Sequence, residues 1–277
     1  MDKQNTQKLK NTLQEIPLGY FVDTSWLKDH GIGRASLHDY AKRGWMEHIE
    51  RGLYRRPLPS NFTDQAIDWK VLLRSMQYLM QLPIHVGGMS ALRLRGHGHY
   101  LQIGKQGSVS LYSSKMPHWL SKIETDAPLI LKKNTLFKNC ELGVGDVLAD
   151  TKTGQTLWWE RPVISSSNER AILEAIDELP DKETFHIVDM AFQSLVNLRP
   201  RKITALLKDC KKIQVKRLFF VFADRHNHAW RKHVDEKQID LGNGDRSLVK
   251  GGKLHPKYRM TVPAEYVEKT NEVDDGA

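Results

Sequence analysis

The chain has 277 residues, of which 40% are apolar and 27% are charged. This length is enough for two or three domains with their own cores, and the composition excludes a disordered chain. The formal net charge of +9 and the isoelectric point near 9.4 favour a polyanionic partner. Nucleic acid is the first candidate, and an acidic protein surface is the second.

No apolar run approaches twenty residues, and no basic-then-apolar leader opens the chain. We therefore expect a cytoplasmic protein with no membrane span and no signal peptide. The only cysteines, Cys140 and Cys210, are far apart and have no paired spacing. This excludes a cysteine-based zinc module and gives no sign of a disulfide framework, so we expect two small buried apolar groups.

The segment from Val22 to Pro57 has the pattern of a winged helix-turn-helix. Asp23, Thr24 and Ser25 can cap a first helix whose apolar face is Trp26-Leu27, and Gly31-Ile32-Gly33 ends that helix. The next segment, Arg34 to Arg43, has helical periodicity, with Leu37, Tyr40 and Ala41 directed inward. The outward residues are Ala35, His38, Asp39 and Lys42.

Two short strands, Trp45 to Ile49 and Leu53 to Arg55, then surround Arg51-Gly52 as a wing. A second helix set at a steep angle by a glycine turn fits a major groove. The predicted base-reading residues are Arg34, Ser36 and His38, and the predicted phosphate contacts are Lys42, Arg43, Arg51, Arg55 and Arg56. The alternative is an ordinary three-helix domain with solvated arginines. The turn, the periodic second helix and the basic hairpin together favour DNA binding.

In the middle of the chain, the sequence pattern predicts a short linker over 57–61 and then a mixture of helices and strands. The predicted elements are a helix from Thr63 or Asp64 to Gln81, a strand at Ile84 to Val86, a helix through Met89 to Leu94, strands at Ser108 to Tyr112 and Ala127 to Lys132, a turn or short helix at Pro117 to Leu120, and strands and loops up to Trp158-Trp159.

The last portion predicts three helices and then strands. Ser166 and Glu169 have capping-box spacing before the first helix, a second helix runs from about Thr184 to Leu198, and Pro200 opens the third. The further predictions are a central strand buried on both faces over Ile213 to Ala223, a hairpin turn at Gly242 to Asp245, a last strand at Tyr258 to Val262, and an acidic tail after Pro263. The fold class is therefore α+β, with an N-terminal winged helix-turn-helix (1–60) followed by a mixed α/β C-terminal domain in two parts (61–165 and 166–277).

Positive charge is concentrated outside the winged helix-turn-helix. Between Arg199 and His233 there are eleven Lys or Arg against Asp209 and Asp224, a net charge of +9, whereas Arg34 to Arg56 has a surplus of three. The eleven are Arg199, Arg201, Lys202, Lys208, Lys211, Lys212, Lys216, Arg217, Arg225, Arg231 and Lys232. Two interpretations stay open, a solvated face and a second polyanion-binding surface.

A collinear set of segments resembles the AbiEi antitoxin family over nearly the whole chain. Besides the N-terminal module, the matching segments are Val86 to Leu92, Ser167 to Leu173, Leu198-Arg199-Pro200 with Leu206-Leu207, Lys216 to Phe219, and Gly251 to Tyr258. Asn168 stands where the family often has proline. None of the matching motifs identifies a residue that is responsible for antitoxicity.

The resemblance implies an antitoxin of a type IV toxin-antitoxin system. It implies a winged helix-turn-helix that binds double-stranded DNA at inverted repeats of its own promoter and represses its operon. It further implies a C-terminal domain that counters a nucleotidyltransferase-like AbiEii toxin, often without a stable complex, and a basic C-terminal surface that assists DNA binding. The alternative is neutralisation of the toxin by direct contact through that surface.

Enzyme interpretations have weaker support in the sequence. Gly87-Gly88-Met89-Ser90 is similar to the start of a nucleotidyltransferase site, but no Asp-x-Asp pair follows to hold metal ions. His97-Gly98-His99 and His226-Asn227-His228 lack cysteines and carboxylates at ligand spacing. We therefore predict no catalytic residues, no metal site and no cofactor.

Overall fold

The computed structural model describes residues 12–59, 66–97, 107–145, 157, 160–180 and 185–267. Its helices and small sheets confirm the α+β class. The chain divides into two compact units. The first comprises residues 1–86, 102–134 and 145–165, and the second comprises residues 87–101, 135–144 and 166–277. The boundaries at residues 60 and 165 stay predictions.

The first unit begins with the winged helix-turn-helix. Residues 12–15 are helical (α1), and β1 (Phe21–Asp23), α2 (Thr24–Asp29), α3 (Arg34–Lys42), β2 (Glu47–Glu50) and β3 (Leu53–Arg55) follow. The strands form one antiparallel sheet in the order β1-β3-β2. Strand β1 is an addition to the predicted elements, and the wing lies between β2 and β3.

The core of this module includes residues from the next helix. Helix α4 (Trp69–Arg74) continues as a π-helical turn (Ser75–Leu79), from which Leu79 joins the apolar cluster around α2 and α3. The backbone N–H of Phe21 donates to Ser75 Oγ at 3.0 Å. Asp68 caps α4, so the helix begins at Trp69. The predicted start at Thr63 or Asp64 lies outside the described residues.

A second sheet completes the described part of the first unit. It has the order β4-β5-β6, in which β4 (Ile84–Val86) pairs antiparallel with β5 (Val109–Ser113), and β5 pairs parallel with β6 (Leu129–Lys133). These strands confirm the three predicted ones. A 3-10 turn (His118–Lys122) lies where a turn or short helix was predicted. Trp158-Trp159 lies outside the described residues.

The second unit is built around one buried helix. Helix α6 (Asn168–Ile176) packs against α5 (Gly88–Leu94), α7 (Phe185–Ser194), α8 (Pro200–Asp209) and α9 (Ile213–His226). All residues of α6 after Asn168 are buried, which explains its central place. Pro200 opens α8 as predicted, and Thr184 lies outside the described residues. Among the helices described, none is long and apolar enough to cross a membrane.

The prediction of a central strand at Ile213 to Ala223 is wrong, because this segment is the fourteen-residue helix α9. The run Leu218-Phe219-Phe220-Val221-Phe222 is buried on every side of the helix, since α6, α7 and β8 (Met260–Val262) surround it. A helix enclosed in this way has no polar stripe, so its sequence lacks helical periodicity. Asn227 ends it in the left-handed conformation, with φ of 45°.

Two local predictions in this unit also need correction. The cap of α6 is Ser167, which accepts from the backbone N–H of Arg170, whereas the Ser166 hydroxyl donates to Glu174 at 2.8 Å. The segment 242–245 is not a hairpin turn. Its carbonyls, at Gly242 and Gly244, accept from the buried guanidinium of Arg217, so they are not available for strand pairing. The hairpin pairs β7 (Lys253–His255) with β8.

Candidate nucleic-acid interface

Helix α3 buries one face and exposes the other. Leu37 and Tyr40 are each 2% exposed and anchor the helix on the core. Arg34, His38 and Lys42 are exposed. They are four residues apart, so they form a single stripe along the helix. Guanidinium, imidazole and ammonium groups in such a stripe can donate to base edges and to phosphates in a major groove.

The turn before α3 is fixed by local hydrogen bonds. Asp23 caps α2 by accepting from the backbone N–H of Trp26 at 2.8 Å. After α2, Gly31 adopts a φ of 74°, which favours glycine, and the N–H of Ile32 donates to the Leu27 carbonyl at 2.8 Å. His30 stacks on the Trp26 ring, with 3.7 Å between ring centroids. The angle between α2 and α3 is therefore set by ordered contacts.

The beginnings of α2 and α3 border a shared cleft of about 440 Å³. Its lining residues are Thr24, Ser25, Lys28, Ile32, Gly33, Arg34 and Leu37. Lys28 is exposed on this cleft, and the sequence prediction did not include it. Nothing in the local sequence separates Lys28 from an ordinary solvated lysine. Only the folded turn brings it beside Arg34.

The wing is short, and its turn is well supported. Arg51 is exposed at the turn, and Gly52 has a φ of 93° that only glycine adopts without strain. The Gly52 carbonyl accepts from the Thr24 N–H at 3.0 Å, which ties the wing to the start of α2. On the other side, Lys122 forms an ion pair with Glu50 at 3.5 Å. The turn that exposes Arg51 is therefore held in place by contacts with neighbouring segments.

The structure places Arg55 inside the module. Its Nε and Nη2 donate to the two carboxylate oxygens of Glu47 at 2.8 and 2.9 Å, and the guanidinium lies 5.9 Å from the Phe21 ring centroid. Its side chain is 9% exposed. Arg56 is half-buried, and its Nη1 donates to the carbonyls of Leu13 and Ile16 at 2.6 and 2.5 Å. Both arginines stabilise the fold through these hydrogen bonds, which argues against their predicted phosphate contacts.

The remaining predicted residues lie on one module in two groups. Arg34, Ser36, His38 and Lys42 belong to α3, Arg43 follows it directly, and Arg51 lies at the wing turn. Ser36 is half-buried, and the others are exposed. Arg43 lies 5.3 Å from the centroid of the Trp45 ring, so its side chain is partly ordered. A helix and a wing that both expose cations suit a groove and its flanking phosphates.

The eleven basic residues between Arg199 and Lys232, which form the predicted second basic surface, leave less uncompensated positive charge at the surface than the sequence suggests. Lys216 and Arg217 are buried, and their charged groups donate to backbone carbonyls. Four other members form ion pairs with carboxylates: Arg199 with Glu169, Lys212 with Asp177, Arg225 with Asp189, and Arg231 with Asp224 and Glu236. Lys208 donates to Gln238 at 2.9 Å, and Lys202 is half-buried. Arg201, Lys211 and Lys232 are exposed.

Part of this charge stabilises the C-terminal hairpin. Asp224 accepts from Arg231, Lys257 and Tyr258. Burial by itself would raise the pKa of Asp224, but hydrogen bonds from Lys257 and Tyr258 and the charge of Arg231 outweigh it and lower that pKa. The same neighbourhood raises the pKa of Tyr258, first through burial and then through Asp224. This cluster joins the end of α9 to the hairpin and is a structural network.

The segments considered for chemistry have structural partners. Gly88 adopts a φ of 55°, and its N–H donates to Glu174 at 2.9 Å, so the glycine pair serves a tight strand-to-helix turn. His226 contacts Asp189 at 2.6 Å, and His228 contacts the Phe192 carbonyl. In the described part of the chain, no three His, Cys, Asp or Glu side chains are close enough to hold a metal ion. His99 lies outside that part.

The N-terminal fold and its exposed helix define a winged helix-turn-helix regulator. Sequence comparison identifies the family. Residues 106–263 match the family described as transcriptional regulator, AbiEi antitoxin, type IV toxin-antitoxin system, and residues 5–103 match the N-terminal domain of the same antitoxin. The chain therefore belongs to the AbiEi antitoxin family of transcriptional regulators. Comparison with curated protein sequences finds no significant match.

The fold is also similar to that of a solved protein. The crystal structure of the RV2827C protein from Mycobacterium tuberculosis superimposes with a TM-score of 0.51 and 13% sequence identity. The match covers 94% of this chain and 91% of the mycobacterial one. At this identity the comparison supports a common fold over nearly the whole length.

Proposed function

We propose that this antitoxin represses its own operon by binding promoter DNA through the winged helix-turn-helix. Helix α3 lies in the major groove, where Arg34, Ser36 and His38 contact base edges. Lys42, Arg43 and Arg51 neutralise phosphates on either side. The observation that carries this proposal is the exposed stripe of α3, which stands on the buried Leu37 and Tyr40.

The proposal reduces the predicted phosphate set and adds one residue to it. Arg55 and Arg56 are left out because their guanidinium groups already bind Glu47 and backbone carbonyls. Lys28 joins the set because it is exposed beside Arg34 on the cleft between α2 and α3. Each cation that neutralises a phosphate releases counterions, so the affinity falls steeply as salt rises.

The antitoxin role is assigned to the C-terminal part of the chain. In this proposal that part counters a nucleotidyltransferase-like toxin without a stable complex. A second candidate is direct contact with the toxin, which the exposed Arg201, Lys211 and Lys232 favour, because they suit an acidic protein face. Co-purification of the full chain with the toxin encoded beside it separates the two: a stable complex supports the second candidate.

A reporter gene placed behind the upstream DNA of the operon tests the repressor role. The full chain should lower expression, and a double Arg34→Ala, His38→Ala variant should not. The matched control is Lys133→Ala, which removes an exposed cation at the end of β6, outside the module and outside the second basic surface, and should repress normally. Equal repression by all three proteins would overturn the assignment of α3. Protection against the toxin, scored in the same strains, shows whether the double variant is still folded.

A further inference from the structure

The cleft between α2 and α3 has the size of a small-molecule site. Its volume of about 440 Å³ lies within the range of about 300–1,000 Å³ that such sites occupy. Two of its lining side chains, Ile32 and Leu37, are apolar, belong to the core of the module and are 5% and 2% exposed. A cleft of this volume with an apolar part can take more of a ligand than a single phosphate group.

The polar lining of the cleft is available to a ligand. Thr24 and Ser25 contribute hydroxyls, and Lys28 and Arg34 contribute cations. In the described part of the chain, these four side chains form no hydrogen bond and no ion pair. A phosphate has more acceptor oxygens than a carboxylate, so it can accept from hydroxyls and cations at the same time. The polar lining therefore favours a phosphate as the anionic part of the ligand.

Gly33 leaves open space at the edge of the cleft. It lines the cleft as the residue before α3, and its φ of −82° is one that any residue adopts without strain. Apart from its chain neighbours, no atom of the described residues would lie within 4 Å of a Cβ built on Gly33. Neither the backbone nor the packing requires glycine here. A larger side chain at this position can therefore fill the cleft without distorting α3.

We propose that the cleft between α2 and α3 binds one nucleotide unit by its phosphate. Lys28 and the hydroxyls of Thr24 and Ser25 hold the phosphate, and the sugar packs against Ile32 and Leu37. A free mononucleotide and a nucleotide within a DNA strand share this chemistry. The DNA source rests on the proposed function of α3, whereas the free nucleotide does not.

Calorimetric titration of the full chain with thymidine 5′-phosphate tests the site without DNA. Thymidine lacks the phosphate and inorganic phosphate lacks the sugar, so both should bind more weakly than the nucleotide. Lys28→Ala should weaken nucleotide binding by about five- to tenfold, because a hydrogen bond to a charged group is lost. Gly33→Leu fills the cleft without changing its charge and should abolish binding.

The matched controls for this titration lie outside the cleft and outside the proposed DNA contacts. Lys133→Ala removes an exposed cation at the end of β6, and Ala205→Leu adds a leucine side chain at an exposed position of α8. Both should bind the nucleotide like the parent chain. Equal weakening by Lys28→Ala and Lys133→Ala would mean that the nucleotide responds only to overall charge, and would exclude the cleft as a site for free nucleotide.

Methylphosphonate substitution in the upstream DNA of the operon tests the DNA source. Each substitution removes the charge of one phosphate. At one position it should lower the affinity of the parent chain by about five- to tenfold. The same substitution should have no further effect on Lys28→Ala, because one contact can be lost only once. Lys133→Ala should respond to it like the parent chain.

The two experiments distinguish the sources. Phosphate-dependent binding of free nucleotide that is lost in Lys28→Ala and in Gly33→Leu assigns the cleft to a free ligand. Absence of that binding, together with one methylphosphonate position that is silent in Lys28→Ala, assigns the cleft to the DNA strand. Failure of both results overturns the proposal and leaves the base contacts of Arg34 to be judged by sequence preference. If the full chain has no affinity for the upstream DNA, the proposed function of α3 fails and the titration alone decides on the cleft.

Discussion

Arg55 and Glu47 form a bidentate ion pair between strands β3 and β2, and this pair fixes the geometry of the wing. The pair explains why Arg55, an arginine of the basic wing, is almost fully buried. It also separates two kinds of wing arginine. Arg55 stabilises the hairpin from within, and Arg51 is free to approach a phosphate from the exposed turn.

Arg55→Ala should therefore destabilise the first unit and leave the salt dependence of DNA binding nearly unchanged. We expect a loss of about 1–3 kcal/mol in the free energy of unfolding, because two charge-assisted hydrogen bonds disappear. Urea denaturation followed by circular dichroism measures this loss. The matched control is Arg51→Ala, which should unfold like the parent chain. A stable Arg55→Ala protein would show that the ion pair contributes little.

Arg51→Ala should weaken binding to specific and random duplexes alike. One phosphate contact fewer should reduce the slope of log affinity against log salt by about one, without changing the sequence preference. Shift assays at several salt concentrations on both duplexes measure the slope. Arg55→Ala, which was first assigned a phosphate contact, is the control whose slope should stay the same. A change in the slope of Arg55→Ala alone would reverse the two roles.

Glu174→Ala should be among the most damaging single changes in the second unit. Glu174 is 1% exposed and accepts from Arg170 Nε at 2.6 Å and from the Gly88 N–H, while Arg170 also donates to the carbonyls of Cys140 and Leu142. The substitution leaves a buried guanidinium without its carboxylate, at a cost of about 3–5 kcal/mol. Chemical denaturation of the parent chain and of the variant measures this loss in the free energy of unfolding.

The matched control for Glu174→Ala is Asp245→Ala. It breaks the ion pair of Asp245 with Arg259, whose two side chains are about half exposed. Exposed pairs contribute less than about 1 kcal/mol, so this variant should keep its stability. Equal losses in the two variants would refute the central place of the buried pair.

Acid should destabilise the second unit partly through Glu169. Burial alone would raise the pKa of Glu169, but hydrogen bonds from the side chain and backbone of Arg199 outweigh it and hold that pKa below the ordinary value of 4.5. The folded state therefore releases this proton more readily than the unfolded state. The resulting stability is present above pH 4.5 and is lost as pH falls through the lowered pKa.

The free energy of unfolding, measured between pH 7 and pH 3, should fall less steeply for Glu169→Gln than for the parent chain. The glutamine variant should already be less stable at pH 7, because its amide cannot form the charged pair with Arg199. Parallel pH profiles for the two proteins would exclude a lowered pKa at Glu169.

The sequence predicted those parts of the fold that depend on local signals. Asp23 at a helix start, the glycines around Ile32 and the Arg51-Gly52 turn between two short strands are properties of neighbouring residues, and each has the structural role expected of it. The exposed stripe of α3 followed from the helical periodicity of the apolar residues on its opposite face. The exposure of Arg34, His38 and Lys42 could therefore be predicted as well.

Signals that depend on distant residues were missed. Helix α9 was predicted as a strand because enclosure on every side removes the periodicity that identifies a helix. The partners of Arg55 and Arg56 lie on another strand and in the 13–16 segment, so their burial could not be inferred from basic character alone. The same is true of Lys216 and Arg217, which extend across the second unit to carbonyls of the 240–244 loop.

The most direct test of the account is a shift assay of the full chain and of Arg34→Ala, each on the upstream DNA of the operon and on a scrambled duplex. The parent chain should prefer its own DNA, and Arg34→Ala should lose about 1–3 kcal/mol of that preference while keeping its affinity for the scrambled duplex nearly intact. A variant that keeps the full preference, or that loses affinity equally on both duplexes, would contradict the assignment of α3 as the reader of sequence.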